Sequence, residues 1–182
     1  RLILGDQLNG QHSWFEQVDR SVTYVLMEVR TETDYVKHHI QKVVGFFAAM
    51  REFAAELVAK NHQVIYIKLN DGENQQSFED NVQHLITTHA FTHFEYQLPD
   101  EYRVDQQLKN LCESIPITSE SIDSEHFFTT RNELADFFEG KKTFLLESFY
   151  RALRKKHDVL MEGSQPLTGQ WNYDGENRKK LP

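Results

Sequence analysis

The 182 residues are 39% hydrophobic, enough for one core of ordinary domain size, so one globular domain is the default expectation. A formal net charge of −8 and a sequence pI near 5.6 argue against a general nucleic-acid binder, whose phosphate contacts need clustered Lys and Arg. Cys112 is the only cysteine, which excludes a disulfide framework and any thiolate-built zinc or iron–sulfur site within these residues and fits a reducing compartment. No apolar run is long enough to span a bilayer, no signal peptide is recognisable, and both ends read as cut from something longer.

In chain order, Leu2-Ile3-Leu4 is a short apolar run that ends in Gly5-Asp6-Gln7, the pattern of a buried strand turning sharply into a loop. Residues 22–27 are β-branched and aromatic and lead into Glu28-Val29, so a second strand also presents an acid near its carboxyl end. Val36, Ile40, Val43, Val44, Phe47, Met50, Ala54 and Leu57 recur in steps of three and four, which predicts one long helix from residue 33 to about 60. Strand character returns at 63–68, followed by turn chemistry at Asp71-Gly72-Glu73-Asn74 and by Ser77 as the cap of a helix carrying Val82, Leu85 and Ile86. Residues 91–98 form a fourth predicted strand, 104–115 a helix, 117–122 a polar fifth strand, and 130–138 and 144–159 two further helices. This alternation predicts an α/β fold with a five-stranded, mainly parallel sheet covered by helices on both faces and extra helices at the C-terminus.

Ligands of such open sheets bind outside the carboxyl ends of the strands, where Asp6 and Glu28 lie. Neither a Gly-x-Gly-x-x-Gly nor a Gly-x-x-x-x-Gly-Lys loop is present, so a ligand here need not carry a pyrophosphate. Tyr35, His39, Lys42 and Phe46 follow one another at helical spacing; they could stack a flat heterocycle and meet its polar edge, or be ordinary core with a satisfied histidine. Asp6 and Glu28 have no positioned nucleophile with them, so no catalytic residue is expected in this segment, and adjacent His38 and His39 make a poor chelating pair, so no metal site is expected. Arg151, Arg154, Lys155, Lys156 and His157, with Arg178, Lys179 and Lys180, are either a solvated helix face or a local nucleic-acid contact. The closing run at 166–182 lacks periodicity yet holds Trp171 and Tyr173, whose rings are expected to anchor it on the α/β unit.

Several runs, in order along the whole chain, resemble one family. They are Leu4-Gly5-Asp6-Gln7-Leu8, Met27-Glu28-Val29, Tyr35-Val36 with His38-His39, Ala49-Met50-Arg51 with Phe53-Ala54, Glu101-Tyr102-Arg103, Glu147 with Phe149-Tyr150-Arg151, and Trp171-Asn172-Tyr173-Asp174 with Glu176-Asn177-Arg178. They look like the iron–sulfur bacterial cryptochromes and prokaryotic (6-4) photolyases, the deoxyribodipyrimidine photolyase-related proteins. The resemblance implies a Rossmann-like three-layer α/β sandwich that binds an antenna chromophore, typically a ribityl-lumazine, at the carboxyl edge of its sheet. It implies an antenna-binding domain over residues 1–160 and, at 161–182, the start of a linker to a helical domain that carries FAD and a four-cysteine [4Fe-4S] cluster. It further implies a cytoplasmic flavoprotein, monomeric when full length, that meets damaged DNA and its own C-terminal domain and uses no membrane.

By the same resemblance, Gly5, Asp6, Gln7 and Leu8 belong to the loop lining the antenna pocket. Glu28, Glu32, Tyr35, His39 and Phe46 are further pocket candidates, with Glu32 suited to the ribityl hydroxyls and Phe46 taking up room beside the ring. Asp174 and Arg178 match the segment that approaches the lesion and flavin side. The functional expectation is the antenna-binding part of a light-driven DNA repair enzyme for (6-4) lesions. The alternatives are a cryptochrome-type photoreceptor without repair activity and a free-standing small-ligand-binding domain.

Overall fold

A computed structural model describes residues 1–174. Its contacts divide the chain into two compact units, residues 1–126 and residues 127–182.

The first unit is α/β. Strand β1 (Thr23–Met27) pairs in parallel with β2 (Gln63–Ile67), Thr23 opposite Gln63 and Met27 opposite Ile67, and β3 (His93–Gln97) pairs in parallel with β4 (Thr118–Ile122). Parallel neighbours need a crossover. Helix α2 (Ile40–Ala59) supplies it between β1 and β2, and α4 (Tyr102–Ser114) between β3 and β4, while α3 (Phe78–His89) connects the two pairs. The five-stranded sheet of the sequence analysis is thus found as two two-stranded pieces. The predicted first strand is a single residue of pairing: Leu2 bridges both Val25 and Tyr96, with Leu2 N–H donating to Glu95 O (2.8 Å), Ile3 N–H to Val25 O (3.0 Å) and Val25 N–H to Arg1 O (2.8 Å). The run is too short for a ladder because Gly5-Asp6 turns at once, with the Gln7 N–H closing on Leu4 O (3.1 Å).

Side-chain alternation sorts these strands onto two cores. Leu2, Leu4, Val25, Met27, Phe94 and Tyr96 pack with Val82 and Leu85 of α3 and Val104, Leu108 and Leu111 of α4. Ile3, Tyr24 and Leu26 pack instead with Trp14 and with Met50, Phe53, Ala54 and Leu57 of α2. Trp14 sits on a short 3₁₀ turn (Ser13–Phe15), whose shape follows from His12: its Nδ1 accepts the Trp14 N–H (3.0 Å), so Nε2 carries the proton toward Asp123 O (2.9 Å).

The single helix expected from residue 33 to 60 is two. Helix α1 (Arg30–Asp34) stops at Tyr35, and α2 starts only after His39, whose backbone is extended and whose Nδ1 accepts the Gln41 N–H (3.2 Å) as an N-cap. The apolar spacing runs unbroken through this turn although the helix does not. Ile40 is 68% and Val44 57% exposed, and the stripe reaches a core only from Phe47, which packs against it partly buried, and is buried in it from Met50 onward.

In the second unit, Phe137 and Phe138 of α5 (Glu133–Phe138), Phe149 of α6 (Leu146–Lys156) and Phe144 between the two helices form an aromatic cluster, and an unanticipated hairpin pairs β5 (Met161–Glu162) with β6 (Gln165–Pro166). Trp171 packs on α6 of its own unit, with the charged groups of Arg151, Arg154 and Lys155 at 5.4, 5.2 and 5.4 Å from its ring, and Tyr173 is 67% exposed. The expectation that both rings anchor the closing run is corrected for Tyr173, whose ring is exposed, while Trp171 packs on a helix inside the 1–160 span. The basic cluster is largely spent within the unit: Arg151 pairs with Glu147, Lys156 with Glu133, and Arg154 donates to the carbonyls of Val159 and Leu160 that follow the helix. Among the described residues, no helix is long and apolar enough to cross a membrane.

Candidate functional site

A cavity of about 210 Å³ opens at the carboxyl ends of the first apolar run, β1 and β3. Its floor is apolar, built by Leu4, Met27, Val29, Met50, Phe78 and Val104. Gly5 makes the close wall: a Cβ there would stand 3.0 Å from Met50 Sδ and 3.2 Å from Phe46 Cδ1, so any larger residue requires those two side chains to give way. The mouth is polar and aromatic, formed by Asp6, Glu32, Tyr35, His38, Lys42 and Glu101. Tyr35 in the α1–α2 turn and Val43, Phe46 and Phe47 in the first part of α2 face this cavity, which accounts for part of the apolar and aromatic spacing that points to one long helix.

One guanidinium ties the two sides of the mouth together. Arg103, in the first turn of α4, donates from Nη1 and Nη2 to the two oxygens of Glu32 (2.9 and 2.7 Å) and from Nε to Glu101 (2.8 Å), and it lies over the Tyr35 ring at 4.4 Å. A bidentate pair fixes the plane of the Glu32 carboxylate. Partial desolvation, with the nearby carboxylates of Asp100 and Glu101 adding to it, pushes the Asp6 carboxyl above its ordinary range, and His126, which bonds Asp100 at 2.8 Å, opposes this.

Of the predicted pocket residues, Gly5, Asp6, Glu32, Tyr35 and Phe46 line the cavity and four do not. Glu28 faces the opposite way from its neighbours Met27 and Val29, as alternation requires, and its fully buried carboxylate accepts from Arg51 Nε (2.7 Å) and Nη2 (2.9 Å), Tyr66 OH (2.7 Å) and Leu69 N–H (2.9 Å). Burial alone would raise this carboxyl, but those donors outweigh it and hold it below the ordinary range. Gln7 is an internal bracket: its Oε1 accepts the Leu4 N–H (3.1 Å) and its Nε2 donates to Gln97 O (3.1 Å). Leu8 packs with the Trp14 cluster, and His39 is spent as the cap of α2, its place in the lining taken by His38. Asp174 lies in the second unit with its N–H donated to Asn172 Oδ1 (2.7 Å), and Arg178 lies outside the described residues. Sequence reasoning misses Arg103 as a site residue, although the Glu101-Tyr102-Arg103 run is one of those that carry the family resemblance.

Residues 1–182 match the family described as deoxyribodipyrimidine photo-lyase-related protein. The chain belongs to that family. It is 35% identical over 179 residues to a (6-4) photolyase of Agrobacterium fabrum, an alignment covering 98% of this chain and 35% of that protein, so the chain spans about a third of that relative's length. It is also 26% identical over 152 residues to an uncharacterised protein of Acanthamoeba polyphaga mimivirus, covering 81% of this chain and 75% of that protein.

A flat heterocycle with a hydroxylated chain fits the photolyase-related cavity in kind, with an apolar floor beneath and carboxylates and an aromatic ring at the mouth. A four-cysteine cluster does not fit these residues: Cys112 is the only thiol in the sequence, and among the described residues no three metal-ligating side chains come together.

Proposed function

We propose that the first unit is the antenna-binding part of a light-driven flavoprotein of the photolyase-related family, and that the full-length protein repairs (6-4) pyrimidine lesions in DNA. The observation carrying this reading is the cavity at the strand ends, where Gly5, Glu32, Tyr35 and Phe46 come together over an apolar floor. All lining residues fall within 1–126, inside the 1–160 span proposed for the antenna-binding domain, with 161–182 as the start of a linker. The proposed architecture is a Rossmann-like three-layer sandwich, consistent with the two cores on opposite sides of the strands.

In this reading the antenna is a ribityl-lumazine, and when bound it supplies light absorption and energy transfer to a flavin. The chain's own residues supply position. Phe46 and Tyr35 offer faces for a ring, Glu32 offers a fixed carboxylate to ribityl hydroxyls, and the apolar floor excludes water. FAD, the [4Fe-4S] cluster and the DNA contact are assigned to a helical domain of the kind these 182 residues do not include, in a cytoplasmic protein that is monomeric at full length. Titrating the full chain with ribityl-lumazine, followed by chromophore fluorescence, should give saturable one-to-one binding, and Gly5→Leu should abolish it. Absence of binding with the chain folded removes the antenna reading. Light-dependent restoration of (6-4)-containing DNA by the full-length protein separates repair from cryptochrome-type signalling.

A second reading rests on the mimivirus relative, three-quarters of whose length the alignment covers. It makes the cavity a small-ligand site of a short protein, and it predicts binding without any light-dependent repair.

A further inference from the structure

We infer that the cavity selects an uncharged chromophore and rejects its phosphate ester, with the Glu32–Arg103–Glu101 cluster setting that preference; this rests on the proposed reading of the cavity as a ribityl-chromophore site.

The argument begins with the charges at the mouth. Asp6, Glu32 and Glu101 line it, and Asp100 stands close enough to Asp6 to raise its carboxyl further. Arg103 stands behind the two lining glutamates, outside the lining itself, and it is already used. Of the five N–H groups of a guanidinium, one on Nε and one on Nη1 are held by Glu101 and Glu32, and Nη2 serves both Glu32 (2.7 Å) and Glu101 (3.2 Å). The Tyr35 ring covers one of its faces. Lys42 is the lysine in the lining, with its Nζ 3.4 Å from His38 Nδ1 and 5.9 Å from the centre of the Phe46 ring, and its single charge is set against the three lining carboxylates Asp6, Glu32 and Glu101.

Backbone offers no cradle in compensation. Helix α4 opens at this mouth; its N-cap Glu101 makes no side-chain cap bond and turns its carboxylate to Arg103, so a negative charge already stands beside the helix end. The Gly5-Asp6 turn continues into Gln7, without further glycines to expose a row of N–H groups. A phosphate carries about −1.5 to −2 charges at neutral pH, so it would meet a surface already negative, whereas neutral hydroxyls find carboxylate acceptors in place.

The test uses the full chain, freed of bound small molecules, and a matched pair of probes: 8-ribityl-lumazine and its ribityl 5′-phosphate, which share the ring and chain. Chromophore fluorescence at pH 7.5 and low salt should show the phosphate ester binding at least tenfold more weakly. Added salt should narrow the gap, because it screens the repulsion. Glu101→Gln, checked for an unchanged melting temperature, removes one carboxylate and loosens Arg103, and it should bring the ester to within about threefold of the free chromophore. Equal affinities in the unaltered chain overturn the inference while leaving the antenna reading standing. An undiminished gap in Glu101→Gln overturns its assignment to this cluster. Binding of neither probe removes the antenna reading itself, and the inference falls with it.

Discussion

Glu28 shows how one buried charge dictates the groups around it. Its side chain is fully buried while Arg51, its partner, is 51% exposed, so the guanidinium reaches inward and completes a set with Tyr66 and the Leu69 amide. Removing one partner of a buried pair costs about 3–5 kcal/mol. Arg51→Met, which strands the carboxylate, should therefore lower the urea midpoint clearly, and Glu28→Gln should do so less because an amide still accepts and donates. The carboxyl lies lower in the folded chain than its unfolded value near 4.3, so its ionised form adds stability above that pH, and the gain is lost as pH falls through the folded value. Acid unfolding followed by circular dichroism should accordingly be less steep in Glu28→Gln than in the unaltered chain. Arg103 is the contrasting case. It is partly exposed, so Arg103→Met should change stability by no more than about 1 kcal/mol. It should nonetheless weaken ribityl-lumazine binding about tenfold, because Glu32 loses the bond that orients it.

At the scale of elements, the sequence was legible wherever local chemistry decided the outcome. Ser77 caps α3 as expected, its Oγ accepting the Asp80 N–H at 3.1 Å, and the strands at 23–27, 63–67, 93–97 and 118–122 fall where β-branched and aromatic residues or alternation put them. Periodicity failed where one spacing served two purposes. Between residues 35 and 47 part of it lines a cavity and part is exposed, and from Met50 to Leu57 it fills a core, and composition does not separate these. The site was legible in part for a related reason. Gly5, Asp6, Glu32, Tyr35 and Phe46 sit where strand ends and aromatic spacing led, but the direction of a polar side chain at a strand end was read too generously, and alternation past Met27 already turns Glu28 away. Arg103 stayed hidden because its partner Glu32 is 71 residues earlier. The two halves of α2 should respond unequally to mutation. Leu57→Ala, in the core, should cost about 2–5 kcal/mol, whereas Ile40→Ser, on the exposed first turn, should stay within about 0.5 kcal/mol in the same urea titration.

At the scale of the molecule, the chain combines membership of the photolyase-related family with an acidic balance, and three of its carboxylates, Asp6, Glu32 and Glu101, line the cavity of the first unit. Basic residues in the second unit are drawn into ion pairs, carbonyl bonds and contacts with Trp171. The first unit, by contrast, hangs on a seam. Leu2 touches Val25 on one side and Tyr96 on the other, and Gln7 repeats the stitch by reaching Gln97. During synthesis these early residues leave the ribosome long before β3 exists, so they must wait while more than ninety further residues are added. β1 and β2 can pair meanwhile, with α2 between them, but the slot on the far side of the seam stays open until residues 93–97 arrive. The order of translation therefore runs against the order of assembly, and the residues that precede β1 are among the last of this unit to be locked in.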